Sequence, residues 1–308
     1  PTNLPAGAES VFVANQYGLA LVDLCELFEY LGDTQKVRLY QQYYDEMKAA
    51  VNEHCWDDEW YVRYFTNEGE PIGSHKNEKS KIWTNAQSWS VLSGFALPDR
   101  AIKALESVNK HLNTKNGIKL STPGYDRFDA AKGGITTYPP GAKENGGIFL
   151  HANPWVMIAE TMVGNGARAF EYYNQINPIA KNDNLDEYEA EPYVYAQNIL
   201  GNEHPQFGLG RNSWLSGTAS WTYQAATKYI LGIKPTYNGL QINPCIDPAW
   251  NGFRATRKYR SATYHIDVAN DSHVSKGIKE IRVDGKALDN NVIPVFDGGI
   301  HQVKVMMG

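Results

Sequence analysis

Apolar residues recur at helical spacing between Glu9 and Leu31, where Leu21, Leu24, Leu27, Phe28 and Leu31 form one stripe closed by Gly32-Asp33. A second helix is predicted from Thr34 to about Glu53. The aromatic stretch Trp56 to Phe65 reads as a turn region, and Asn67 to Lys79 as a loop rich in Gly, Ser, Asn and Lys. Helical spacing resumes over Trp83–Phe95, and Pro98-Asp99 opens a further helix through His111. Three more helices are predicted at Phe149–Val163, Ala167–Gln175 and Ser213–Leu231, the last stopped by Gly232.

Between these segments the pattern breaks. Asn113 to Asn145 holds Gly117, Pro123-Gly124, Gly133-Gly134 and Pro139-Pro140-Gly141, too many breakers for regular structure. A connection of this length in a compact domain is more often functional than idle. Asn177 to Arg211 is a second irregular stretch. After Pro235 the period changes to two: Leu240–Ile242, Thr263–Val268 and Ile278–Val283 alternate like strands, and Asp284-Gly285 is a hairpin signal.

Helix pairs joined by long irregular loops suggest an α/α barrel, for which the chain has too few helices. It opens on Pro1 rather than Met and runs at once into a helical pattern, as a segment or divided product of something longer would. The expected fold class is therefore mainly α with a β domain. Residues 1–234 would form the helical domain and residues 235–308 a small antiparallel β domain.

Composition changes this picture little. Of 308 residues, 42% are hydrophobic and 20% charged, ordinary for a globular protein. The formal net charge of -5 gives no reason to expect a nucleic acid or an acidic membrane surface as partner. No apolar run is read as reaching the roughly 20 residues a membrane helix needs, and no secretory signal is visible. Cys25, Cys55 and Cys245 are far apart and lack metal-ligand spacing, which suggests neither a disulfide framework nor a metal site and fits a cytoplasmic setting. The 12% aromatic content suits sugar-stacking platforms as well as cores.

Candidate chemistry lies in four motifs. Tyr138-Pro-Pro-Gly-Ala-Lys-Glu-Asn-Gly-Gly-Ile-Phe-Leu-His151 sets Lys143 beside Glu144 in a glycine-flanked loop. Such a pair can grip sugar hydroxyls, one group donating and one accepting, but it also fits a solvated charge pair. His151, at a predicted helix start, could donate to an anion or cap its own helix. Ser216-Gly217-Thr218 offers two hydroxyls and an open backbone N–H, an oxyanion-sized cradle, yet small residues also serve close helix packing. Glu191-Pro-Tyr-Val-Tyr-Ala-Gln197 suits a sugar pocket or a core tyrosine cluster. Asp126 and Asp129 could be a glycosidase acid/base pair or braces to Arg127.

Taken together, Gly124-Tyr-Asp-Arg-Phe-Asp129, Thr137 to Trp155, Glu191 to Gln197 and Ser213-Trp-Leu-Ser-Gly-Thr-Ala-Ser-Trp221 resemble the disaccharide phosphorylases of glycoside hydrolase family 94, cellobiose-type in particular. The resemblance implies the latter part of an (α/α)6 barrel followed by a C-terminal antiparallel β-sandwich domain. It implies a phosphate site at His151, Ser216, Gly217 and Thr218, and sugar contacts from Tyr138, Lys143, Glu144 and Gln197. No metal or cofactor is implied; inorganic phosphate is the co-substrate. A tyrosine at 138 stands where relatives acting on N-acetylated sugars have a small residue, which favours glucose.

One departure matters. The family's general acid is the aspartate of a Trp-Asn-Asp motif that this chain lacks, and Trp56-Asp57-Asp58 lies too far inside the match to replace it. The expectation is that this acid lies upstream of Pro1, that the N-terminal portion of the enzyme is a partner, and that the enzyme is a homodimer. The implied reaction is inverting phosphorolysis of cellobiose to α-glucose 1-phosphate and glucose. Alternatives are a phosphorylase for chitobiose, laminaribiose, cellobionic acid or cellodextrins, an inverting hydrolase using Asp126, Asp129 or Glu144 as base, and a non-catalytic sugar-binding fragment.

Overall fold

The computed structural model describes residues 7–308. Eight α-helices are described: α1 (Val11–Leu31), α2 (Thr34–His54), α3 (Thr84–Leu92), α4 (Pro98–Leu112), α5 (Asn153–Met162), α6 (Gly166–Ile176), α7 (Leu185–Tyr188) and α8 (Thr218–Gln224). The chain divides into two compact units, one of residues 1–159 and 174–221, the other of 160–173 and 222–308.

In the first unit the helix ends follow local chemistry. Ser10 caps α1 by accepting the Val13 N–H at 3.4 Å. Gly32 takes the left-handed conformation (φ 78°) that a side chain would resist, and the Gly32 and Asp33 N–H groups close on Glu29 and Phe28 carbonyls. Asp33 then caps α2 through the Lys36 N–H at 3.1 Å. The buried face of α1 is Val11, Asn15, Gly18 and Leu21, so the expected Leu21–Leu31 stripe is core only at its first member. Beyond it the helix meets mainly α2, with Phe28 against Tyr40 at 5.6 Å, and Leu31 stays exposed. By length and composition alone α1 is apolar enough to cross a membrane, which corrects the reading that no run approached that length.

Every residue of α3 is buried. Some of its polar groups are absorbed internally: Gln87 accepts the Tyr61 N–H and donates to the Tyr61 carbonyl, both at 2.8 Å. Just before α3, Ile82–Trp83 pairs antiparallel with Ser121–Thr122, setting Trp83 beside the first long loop.

In the second unit Ile233–Pro235, Gly239–Ile242 and Val292–Pro294 form one antiparallel sheet. The other has five strands in the order Gly252–Tyr259, Ala262–Ala269, Ile300–Met306, Glu280–Val283 and Lys286–Ala287. Ala262–Ala269 runs parallel to Ile300–Met306, so the expected all-antiparallel domain is in fact mixed. The stretch from 270 to 299 between those strands is long enough for the crossover that parallel pairing needs. Leu240, Ile242 and Ile293 of the first sheet share a core with Tyr264, Ile266, Val303 and Val305 of the second. Ala169 of α6 and Ile230 join the same core, which is why this unit reaches back past the break expected at 234/235.

The Asp284-Gly285 hairpin forms as predicted, with positive φ at both residues (50° and 82°). His301 locks it: Nδ1 lies 2.7 Å from Asp284 Oδ2, and the ring stacks on Phe296 at 4.0 Å. The hydrogen bond to Asp284 raises the His301 pKa above its ordinary 6.5, and the same bond lowers Asp284 below 3.8. The histidine's contribution is complete below 6.5 and lost as pH rises through its higher folded value; the aspartate's is complete above 3.8 and lost below it. The melting-temperature gap between wild type and His301→Gln is therefore expected to be widest between pH 3.8 and 6.5 and to narrow above that window. A gap that stays constant from pH 5 to 9 would show that the pair's charge is irrelevant.

Candidate functional site

A three-stranded antiparallel sheet assembles the site. Ile148–Phe149 pairs with Ala196–Ile199, which pairs in turn with Gly210–Ser213. His151 follows the first strand, Gln197 lies in the second, and Ser216-Gly217-Thr218 follows the third. Two predicted helices are shortened by this pairing. The one expected from Phe149 begins at Asn153, after a 3-10 turn over Leu150–Ala152. The one expected over Ser213–Leu231 begins at Thr218, because Asn212 (φ 56°) and Trp214 (φ 69°) are left-handed and cannot sit in a right-handed helix. Its last stretch, Ala225–Ile230, is π-helical.

His151 and the cradle meet directly. A Cβ built on Gly217 would lie 2.9 Å from His151 Cε1, so the imidazole rests against the glycine backbone. The ring packs on Trp155 at 5.1 Å and Trp221 at 6.5 Å, and the fully buried Asn153 amide holds the chain just beyond it by bonding Ile118 N–H and C=O. Burial without an acidic partner pushes the His151 pKa down from 6.5, so the ring is neutral at neutral pH, and its Nε2 is buried with no protein partner. A neutral imidazole carries one N–H, able to donate to an anion. Ser216 Oγ accepts the Thr218 N–H at 3.1 Å and contacts Thr218 Oγ1. Thr218 is fully buried, so its hydroxyl serves Ser216.

A cavity of about 370 Å³ is lined by Tyr138, Glu144, Arg63, Trp83, Asn85, Tyr125 and Lys132, among others. Four of its polar atoms are buried without a protein partner: donors Arg63 Nε and Trp83 Nε1, and acceptors Asn85 Oδ1 and Glu144 Oε2. A mixed set of donors and acceptors matches hydroxyls, which do both, better than an anion, which only accepts. Burial lowers the Arg63 guanidinium to about 10; it lies over the Phe12 and Trp83 rings at 5.0 and 5.6 Å and donates to Ser10 Oγ at 3.0 Å.

Of the predicted sugar contacts, Tyr138 and Glu144 line this cavity. Lys143 is not among the lining residues; its ammonium lies 5.2 Å from the centre of the Tyr138 ring, and its φ is 47°. Gln197 is half-buried on the central strand of the sheet and is not part of the cavity lining. Asp126 is exposed and pairs with Lys79 at 3.1 Å rather than with Arg127, which lowers its pKa and makes it a poor base. Asp57 accepts from the His75 backbone at 2.7 Å, a structural use. Sequence reasoning missed Arg63, Trp83 and Asn85. The one available signal was a lone arginine inside the aromatic run Trp60-Tyr-Val-Arg-Tyr-Phe65. Among the described residues no group of three or more His, Cys, Asp or Glu could hold a metal ion.

Residues 2–232 match the catalytic domain of the glycosyl hydrolase 94 superfamily, and the chain belongs to that family. N,N'-diacetylchitobiose phosphorylase of Vibrio proteolyticus is 38% identical over 304 residues, 98% of this chain and 38% of its own length. Solabiose phosphorylase of Paenibacillus borealis is 33% identical over 97% of this chain and 39% of its own. Cellobionic acid phosphorylase of Neurospora crassa is 31% identical over 82% of this chain and 32% of its own. This chain thus spans less than two-fifths of the length of these relatives. A wild-type glycosidase structure aligns at a TM-score of 0.44 and 13% identity, over 70% of this chain and 46% of its own.

Proposed function

We propose that this chain supplies the phosphate cradle and part of the sugar site of an inverting disaccharide phosphorylase, with cellobiose as substrate. The observations that carry the reading are the seating of His151 against Gly217, beside the Ser216 hydroxyl, and a cavity whose unpaired polar atoms suit a sugar. Phosphate would rest on His151, Ser216 and the Gly217 backbone. One of its oxygens forms the new bond to the anomeric carbon as the bond to the leaving sugar breaks on the opposite face. The leaving oxygen takes its proton from a general acid outside these 308 residues. Phosphate is already a nucleophilic anion, so no carboxylate base is required, and the cradle's part is to hold it in line. Neither a metal nor an organic cofactor takes part in this scheme.

The choice of cellobiose rests on Tyr138, which lines the cavity and which, by the family resemblance, stands where enzymes for N-acetylated sugars have a small residue. Two relatives at 38% identity are N,N'-diacetylchitobiose phosphorylases, so in this reading the preference for cellobiose rests on Tyr138 alone. The test is release of sugar 1-phosphate by the complete protein from cellobiose, diacetylchitobiose, solabiose and cellobionic acid, with and without phosphate. Turnover that persists without phosphate would sink the phosphorylase reading. Tyr138→Val is expected to raise kcat/KM on diacetylchitobiose about tenfold, by opening space for one small group. No gain on that substrate would remove Tyr138 as the selector.

A further inference from the structure

We propose that Asn145 sets the width of the sugar cavity and is a positioning residue for the disaccharide. Its side chain is fully buried and makes three short hydrogen bonds. Oδ1 accepts the Tyr125 N–H at 2.7 Å, while Nδ2 donates to the Tyr125 carbonyl at 2.8 Å and to the Tyr138 carbonyl at 2.7 Å. Tyr125 and Tyr138 both line the cavity, so one amide ties two of its walls together. The assignment of amide oxygen and nitrogen is fixed by the partners: a flipped amide would set its oxygen against two carbonyls.

Asn145 is itself held from behind. Its N–H donates to the Ala142 carbonyl at 3.0 Å and its carbonyl accepts the Gly141 N–H at 2.8 Å. A side chain at Gly124, next to Tyr125, would press on the Asn145 carbonyl and Pro140 at 3.2 Å, so the two loops are in close contact there. This stretch has few regular backbone ladders, and a buried, fully bonded amide is what gives it one geometry. The proposed cradle residues His151, Ser216 and Gly217 are not among the groups Asn145 bonds. Loss of the clamp therefore moves the sugar walls and leaves the His151–Gly217 cradle in place.

This inference rests on the sugar-site reading above. Its test is Asn145→Asp in the complete protein, which keeps the acceptor for Tyr125 N–H but turns two donations into oxygen–oxygen repulsions. The disaccharide KM is expected to rise about tenfold, the cost of displacing a bound group's contacts. The KM for phosphate should stay within twofold, a split that general destabilisation would not produce. The variant should also discriminate less between acetylated and plain disaccharides. In a Tyr138→Val background that loss of discrimination should shrink, because Asn145 acts through Tyr138. Should Asn145→Asp fail to fold, Asn145→Ser removes both Nδ2 donations with less charge and is expected to show the same split. Disaccharide and phosphate KM rising together, or neither moving, overturns the proposal. Phosphate-independent turnover would instead overturn the phosphorylase reading, and the disaccharide KM would still judge Asn145.

Discussion

Gly217→Ala is expected to lower phosphate-dependent turnover about a hundredfold while leaving the fold intact, the scale of loss that misplacing a reacting group by about 1 Å brings. An alanine Cβ would stand 2.9 Å from His151 Cε1, closer than packed carbon atoms tolerate, and a tight 3.2 Å from Nε2. The ring has little room to yield, because Trp155 and Trp221 sit close to it. Trp155 in turn packs on Trp89 at 5.3 Å, so the strain does not dissipate locally. Imidazole and phosphate would therefore separate, or the cradle loop would shift and carry Ser216 with it. Initial rates at varied phosphate check this: the phosphate KM should rise with little change in the disaccharide KM. A variant with wild-type phosphate KM and kcat would show that this contact has no part in the chemistry. Because the glycine lies next to the ring, His151→Ala combined with Gly217→Ala should be little worse than His151→Ala alone.

That contact also shows where sequence reading reaches and where it stops. The closing of α1 at Gly32-Asp33 and the turn at Asp284-Gly285 were legible, because each depends on a few adjacent residues whose backbone preferences are strong. The alternating strands after Pro235 were legible for the same reason, whereas the parallel pairing of Ala262–Ala269 with Ile300–Met306 depends on a crossover no local pattern encodes. Ser213 to Gly217 looked helical because the small polar residues there do not forbid a helix. Pairing of Gly210–Ser213 with the strand Ala196–Ile199, and left-handed Asn212 and Trp214, override that preference. The candidate residues came from motif resemblance, but their grouping did not. Tyr138 and Glu144 line one cavity, His151 and Gly217 form a separate contact, and Gln197 sits on the strand between the motifs. Arg63, Trp83 and Asn85 come from stretches distant in sequence from Glu144, so only folding reveals that they share a cavity with it.

The wall behind Tyr125 carries the largest stability effect. Glu203 Oε1 accepts from Thr122 Oγ1 at 2.9 Å and from Lys119 Nζ at 3.4 Å, and Oε2 accepts the Gly124 N–H at 2.7 Å. The Lys119 side chain is only 6% exposed; its ammonium also donates to Thr122 Oγ1 at 2.9 Å, and Glu203 is its carboxylate partner. Removing the acid, as in Glu203→Ala, is expected to cost about 3 kcal/mol, mostly from stranding a buried charge rather than from the pair's own attraction. Burial already holds the Lys119 amine below its ordinary 10.5, with Glu203 opposing that shift. Without Glu203 the folded amine is held lower still, so the ammonium's penalty is full below the folded pKa and fades as pH rises toward 10.5, where the unfolded lysine also loses its proton. Thermal melts of wild type and Glu203→Ala should therefore draw closer as pH rises toward 10.5. The double change Lys119→Met/Glu203→Ala should recover most of the loss, since no charge is then left unpaired. If it melts no higher than Glu203→Ala, the cost lies instead in the lost bonds to Thr122 and Gly124, and the lysine is a bystander.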